Sequence, residues 1–170
     1  FGRDDEALAR VQAMHGTAIR AMRVDVADRM ALVEAIDDAA AAFGGLDGLV
    51  NNAGVCFASA LEAVDPDEVA TQVAVNFLAP VFECQAVIPH LRKRGGGRIL
   101  NVTSASARHM DEFAHIGIYS STKAALERYT AELREELKGD NIGVTALSPG
   151  GAETMFGSGW RPEMAQKAFA

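Results

Sequence analysis

The 170-residue chain carries 16 basic and 23 acidic side chains, a net charge of -7, which repels phosphate backbones and excludes nucleic acid and anionic membrane as expected partners. Hydrophobic residues make up 49%, enough at this length to bury a sizeable core in one domain over 1–170. No apolar run approaches the ~20 residues of a membrane span and no signal peptide opens the chain, so a cytoplasmic protein is expected.

Asp4 is placed to cap a helix that carries Leu8 and Val11 as an apolar stripe and stops at Gly16. Ile19 to Val24 alternates as a strand does and ends at Asp25. A second helix is predicted from about Asp28 to Phe43, with Leu32, Val33, Ile36, Ala40 and Phe43 at helical spacing and Gly44-Gly45 as terminator. Leu46 to Asn51 reads as a strand entering the turn Asn51-Asn52-Ala53-Gly54. Asp65-Pro66-Asp67-Glu68 is a capping-box helix start. The helical pattern that follows should break near Asn76 to Pro80 and again at Pro89, because proline removes a backbone donor. It ends on the basic turn Arg92-Lys93-Arg94 before three glycines, a charge pattern that suits a helix C-terminus better than an anion site. Arg98 to Thr103 is the next strand. A loop from Ser104 to Ile118, a helix through Lys138 and a last strand from Ile142 to Leu147 complete the pattern. Strands alternating with helices predict βαβ units around a parallel sheet.

The chemistry concentrates between Ser104 and Lys123. If Tyr119 to Lys123 is helical, the four-residue spacing puts a phenol and an ammonium on one face. A phenol with a reference pKa near ~10 is a poor base at neutral pH unless a neighbouring cation stabilises the phenolate, and Lys123 is that cation. Ser104 lies where a strand delivers a hydroxyl to a cleft, placed to donate to a substrate oxygen that gains negative charge. Ser106 is its rival for that role. Ser120, Ser121 and Thr122 read as helix-start and packing residues. Cys56 and Cys84 show neither metal-ligand nor redox spacing and read as small buried hydrophobes. His109 and His115 have no companion ligands, so no metal site is expected.

Asp25-Val26, Asn51-Asn52-Ala53-Gly54, Asn76, Ser104, Tyr119, Lys123 and Pro149-Gly150 stand together in an order and spacing that resembles the short-chain dehydrogenase/reductase family over nearly the whole chain. The resemblance implies a Rossmann-type doubly wound parallel sheet in three α/β/α layers, incomplete at both ends here. Phe1-Gly2-Arg3 resembles the end of the family's second strand, so its first strand and glycine-rich phosphate loop would precede residue 1. The chain is therefore expected to be part of a longer polypeptide or a truncated reading frame, with Ile19 to Val24 short of strand partners.

The same resemblance implies hydride transfer between a nicotinamide cofactor and a ketone or secondary alcohol. Tyr119 is the general acid and base, Lys123 also holds the nicotinamide ribose, Ser104 polarises the substrate, and Asn76 completes a proton relay through a water near Lys123. Asp25 and Val26 would flank the adenine, with Asn52, Ala53 and Gly54 beside the adenosine ribose. Pro149 and Gly150 would turn the chain to the site and Thr154 would bond the carboxamide. Gly151 stands where the family often has a bulkier pocket wall. His109, Met110, Phe113, His115 and Ile116, with Ser106, are expected to line the substrate pocket, and Phe57, Phe156 and Trp160 to add apolar wall or core. Gly2 where NAD-dependent members carry an acid, followed by Arg3, favours NADP(H) over NAD(H). The long helices over 66–94 and 118–138 resemble those through which the family builds homodimers and homotetramers. A non-catalytic scaffold that keeps only those association helices is the alternative.

Overall fold

The computed structural model describes residues 1–109, 114–150, 156, 160 and 163. Three aspartates start helices. Asp4 accepts from the Ala7 amide at 2.9 Å and opens α1 (Asp5–His15). Asp28 accepts from the Met30 and Ala31 amides and opens α2 (Arg29–Phe43), which Gly44 closes at φ 72°. Asp65 opens α3 (Pro66–Val73) by accepting from Asp67 at 2.8 Å, so the cap bond reaches the second helical residue rather than Glu68. Each carboxylate satisfies amides that have no partner within their own helix.

The strand expected over Ile19 to Val24 does not form. Only Arg23 bridges, to Gly2, with the Gly2 amide donating to Met22 O at 3.3 Å and the Val24 amide to Gly2 O at 2.9 Å. An extended apolar segment becomes a strand when a neighbour supplies a ladder of donors and acceptors, and here a single residue does so.

The expected break near Asn76 is instead a π-helical turn, Ala74–Leu78, joining α3 to α4 (Ala79–Lys93) in one helix of 28 residues. Pro80 sits in the first turn of α4, and Pro89 lies inside it without ending it. Pro89 and Gln85 are both exposed, so water can serve the carbonyl that loses its amide. Continuity also changes the membrane expectation: by length and composition Pro66–Lys93 is long and apolar enough to cross one. Its inner face is occupied by protein, however, with Cys84, Val87 and Leu91 at most 1% exposed.

Strands β1 (Gly48–Asn51), β2 (Gly97–Val102) and β3 (Ile142–Leu147) form a parallel sheet in the order β1-β2-β3, with Asn51 opposite Asn101 and Val102 opposite Leu147. Helix α5 (Gly117–Glu136) returns the chain from β2 to β3. Helices α4 and α5 share one core with the sheet, built from Cys84, Val87 and Leu91, Ile99, Leu133 and Leu137, and Ile142 and Val144. Leu91 and Leu126 are fully buried, each contributing about 1.5–3 kcal/mol relative to exposure. The pleat sends Val50 and Leu147 the other way, and they are exposed. Helix α2 extends the helical layer, packing Leu32, Ala35 and Ile36 with Phe82 and Ala86 of α4. All three strands therefore end at one edge of the sheet, and the segments that leave it meet there.

Candidate active site

A groove of about 560 Å³ opens at that edge. Asn52, Ala53 and Gly54 leave β1 to form one wall. Val102, Thr103 and Ser104 end β2, Pro149 and Gly150 follow β3, and Tyr119 and Lys123 come from the first turns of α5. The segments are held beyond the strands themselves, with the Thr103 amide on Leu147 O at 2.7 Å and the Ala105 amide on Pro149 O at 2.9 Å.

Tyr119 and Lys123 share the face that their spacing predicts, with the ammonium 5.9 Å from the centre of the phenol ring. Lys123 is 3% exposed and donates to Val102 O at 2.8 Å. Burial lowers its pKa from 10.5 to about 8. Burial also raises the Tyr119 phenol, which a hydrogen bond from Ser104 offsets in part and the neighbouring Cys56 reinforces. The expectation that Lys123 draws this phenol towards neutrality is therefore corrected for the protein by itself: desolvation is the larger effect. Cys56 and Cys84 are buried thiols, both pushed up to about 12, so the inert reading of them stands.

Asn76, in the π-helical turn, is fully buried. Its Oδ1 accepts from the Val55 amide at 2.8 Å, and its Nδ2 donates to Val55 O at 2.8 Å and to Thr122 Oγ1 at 3.1 Å. Its amide is thus not exposed; it clamps the chain just after the Gly54 turn. A Cβ on Gly54 would meet Asn76 Oδ1 and Lys123 Nζ, each at 3.5 Å, in ordinary van der Waals contact, so this turn packs directly over the clamp and the ammonium. Thr122 hands the clamp on to the first turn of α5 by donating to Tyr119 O at 2.7 Å.

Other expected residues lie elsewhere. Arg3 and Asp25 pair at 3.6 Å away from the groove lining, Asp25 also caps the Ala27 amide, and Val26 packs against the core of α2. Ser106 is 6% exposed and bonds Ser104 rather than lining the groove. His109 is exposed and outside the lining. The His115 carbonyl, in a residue at φ 61°, accepts from the Ser59 amide, while Ile116 packs with Cys56 and Ala58; neither is among the residues that line the groove. Phe57 donates its amide to Gln72 Oε1 at 3.3 Å and is likewise framework. Phe156 packs against the Tyr119 ring at 5.4 Å, and Trp160 Nε1 donates to Cys56 O at 2.7 Å. Met110, Phe113, Gly151 and Thr154 lie outside the described residues.

Sequence reasoning missed Thr103, and it read Thr122 as a helix-start and packing residue, which it is, without its bonds to Asn76 and Tyr119. Thr103 is 2% exposed, and its hydroxyl lies 3.1 Å from both Leu147 O and Glu127 Oε1. A polar residue at the end of an apolar strand was the available signal.

The chain is similar to several known proteins. A 3-ketodihydrosphingosine reductase from Bacteroides thetaiotaomicron is 33% identical over 138 residues, 81% of this chain and 51% of the relative. A 3-ketoacyl-(acyl-carrier-protein) reductase from Brucella melitensis, solved with NADH, superimposes with a TM-score of 0.87 at 31% identity, covering 93% of this chain and 66% of that one. A gluconate 5-dehydrogenase from Burkholderia cenocepacia, solved with NADP and tartrate, gives 0.80 at 31% identity, with 91% and 61% covered. The chain thus spans about half the length of the curated relative and under two thirds of the gluconate enzyme. With the short chain dehydrogenase family model matching residues 2–165, and with a parallel sheet whose strand ends converge on Ser104, Tyr119 and Lys123, the chain belongs to the short chain dehydrogenase family.

Proposed function

We propose that the protein is an oxidoreductase that transfers a hydride between NADP(H) or NAD(H) and a ketone or secondary alcohol, with Tyr119 as general acid and base. The observation that carries this reading is the convergence of Tyr119, Ser104 and the buried Lys123 on one groove at the C-terminal edge of a parallel sheet, where such sheets bind ligands. The groove suits a nicotinamide dinucleotide: Ala53 and Gly54 let a flat ligand approach the backbone, and Lys123 presents an ammonium. Bound there, the dinucleotide supplies or accepts the hydride. Lys123 would hold a ribose hydroxyl. Ser104 donates to the substrate oxygen, and Tyr119 gives that oxygen its proton in reduction and removes it in oxidation.

Burial keeps the Tyr119 phenol protonated at neutral pH, the state the acid role requires. For the base role the phenolate is favoured by the hydrogen bond from Ser104 before the substrate oxygen takes that proton, and by a nearby positive ring. Tyr119→Phe in the full-length protein should lower turnover by about 10²–10⁴-fold, leaving NADPH binding, followed by fluorescence, within about twofold. Retained turnover refutes the acid/base role, and absence of NADPH binding in the wild type favours a scaffold.

Arg3 supports NADP(H) over NAD(H): its side chain is 65% exposed, and Asp25 is its carboxylate neighbour at 3.6 Å, a pairing that a ribose phosphate can displace. The continuous helix over 66–93 and α5 support self-association as a homodimer or homotetramer, which sedimentation of the purified protein measures. The acidic surface supports a cytoplasmic enzyme acting on a small-molecule carbonyl or alcohol rather than on nucleic acid or membrane.

A further inference from the structure

We infer that Ser106 is a positioning residue that fixes Ser104 as a hydrogen-bond donor towards the Tyr119 oxygen, an inference that rests on the reading of Tyr119 as acid and base. A serine hydroxyl has one proton to give and two lone pairs to fill. The Ser106 amide donates to Ser104 Oγ at 3.3 Å, and the Ser106 hydroxyl does so at 3.0 Å. With both lone pairs occupied, the single Ser104 proton is left for the groove that Ser104 and Tyr119 both line. Without substrate it goes to Tyr119, where the bond favours the phenolate, and a bound substrate oxygen takes its place.

The arrangement is held by the fold. Ser106 sits in the single turn Ala105–Ala107, which is tied back by the Ala107 amide on Ser104 O at 3.1 Å. At 6% exposure its hydroxyl has little access to bulk water. When Tyr119 is ionised, a chain running from Ser106 to Ser104 to the phenolate places every proton on an acceptor, and each bond polarises the next. The other groups facing Tyr119 are Cys56 from the segment after β1, Lys123 one turn along α5, and the Phe156 ring. None of them occupies the Ser104 lone pairs in the hydrogen bonds described.

The test reads the phenol itself and needs neither cofactor nor substrate. The ultraviolet difference spectrum between the full-length protein and its Tyr119→Phe variant isolates phenolate formation at this residue. Tyr129, the other tyrosine of the chain, is driven far up by burial. Ser106→Ala keeps the backbone donor and removes the hydroxyl donor, and should raise the Tyr119 midpoint by about half to one pH unit. Ser106→Thr, which retains a hydroxyl, should bring the midpoint back towards the wild type. In a Ser104→Ala background, Ser106→Ala should have no further effect, because the hydroxyl through which it acts is gone. An unchanged midpoint in folded Ser106→Ala, or an equal shift with and without Ser104, overturns the inference. The catalytic reading fails separately, by turnover surviving in Tyr119→Phe.

Discussion

Lys123 should weaken the fold that holds it, and Lys123→Met should make the protein more stable. A lysine whose pKa falls from 10.5 to about 8 on folding resists burial of its charge by about 3 kcal/mol, at about 1.4 kcal/mol per pH unit. The sign follows from the direction. Below about pH 8 the ammonium is charged in both states and the whole penalty is present. Between about pH 8 and 10.5 the folded lysine is neutral while the unfolded one is still charged, so the penalty disappears. Methionine fills a similar volume without the charge but leaves Val102 O, accepting at 2.8 Å, without its donor, a loss of about 1 kcal/mol. The net gain at pH 7 is about 2 kcal/mol, or an increase in Tm of about 4–8 °C for a protein of this size. Urea denaturation of both proteins at pH 7 and pH 10 checks it: the variant should lead at pH 7, and the lead should shrink or reverse at pH 10 while turnover is lost at both. If Lys123→Met is the less stable protein at pH 7, or the difference is the same at the two pH values, the argument from burial is wrong.

Asn76→Ala strips partners from the Val55 amide, the Val55 carbonyl and Thr122 Oγ1. It should destabilise the protein by about 2–4 kcal/mol in denaturant titration; a loss below about 0.5 kcal/mol contradicts the clamp. Arg3→Ala should raise KM for NADPH about tenfold, the loss of one charge-assisted contact, with KM for NADH little changed. A wild-type preference for NADH in the same steady-state assay would refute the assignment of cofactor.

Helix starts were legible because their signals are local. Asp4, Asp28 and Asp65 each bond an amide two or three residues away, so the neighbouring residues carry the information. The Tyr119 and Lys123 pair was legible for the same reason, since one helical turn joins them. Ile19 to Val24 was not, because its alternation specifies an extended chain but not a partner. The prolines misled for a related reason: whether Pro89 ends a helix depends on what the other face of that helix buries, and Cys84, Val87 and Leu91 bind α4 to the core on either side of it.

By itself the order of residues determined the periodicities, the helix caps and the reacting groups, all properties of short range along the chain. Only the tertiary structure decided which of these groups meet. It set Asn76 on Val55, 21 residues away, and Lys123 on the carbonyl that ends β2. It also put Ser106 behind Ser104 rather than in the groove, and paired Arg3 with Asp25 beyond the groove lining. Those contacts follow from three strands ending at one edge and two helices packing on one face. The same burial sets the electrostatics: it lowers the lysine and raises the phenol, a balance that depends on how much water each group has lost, which no spacing along the chain records.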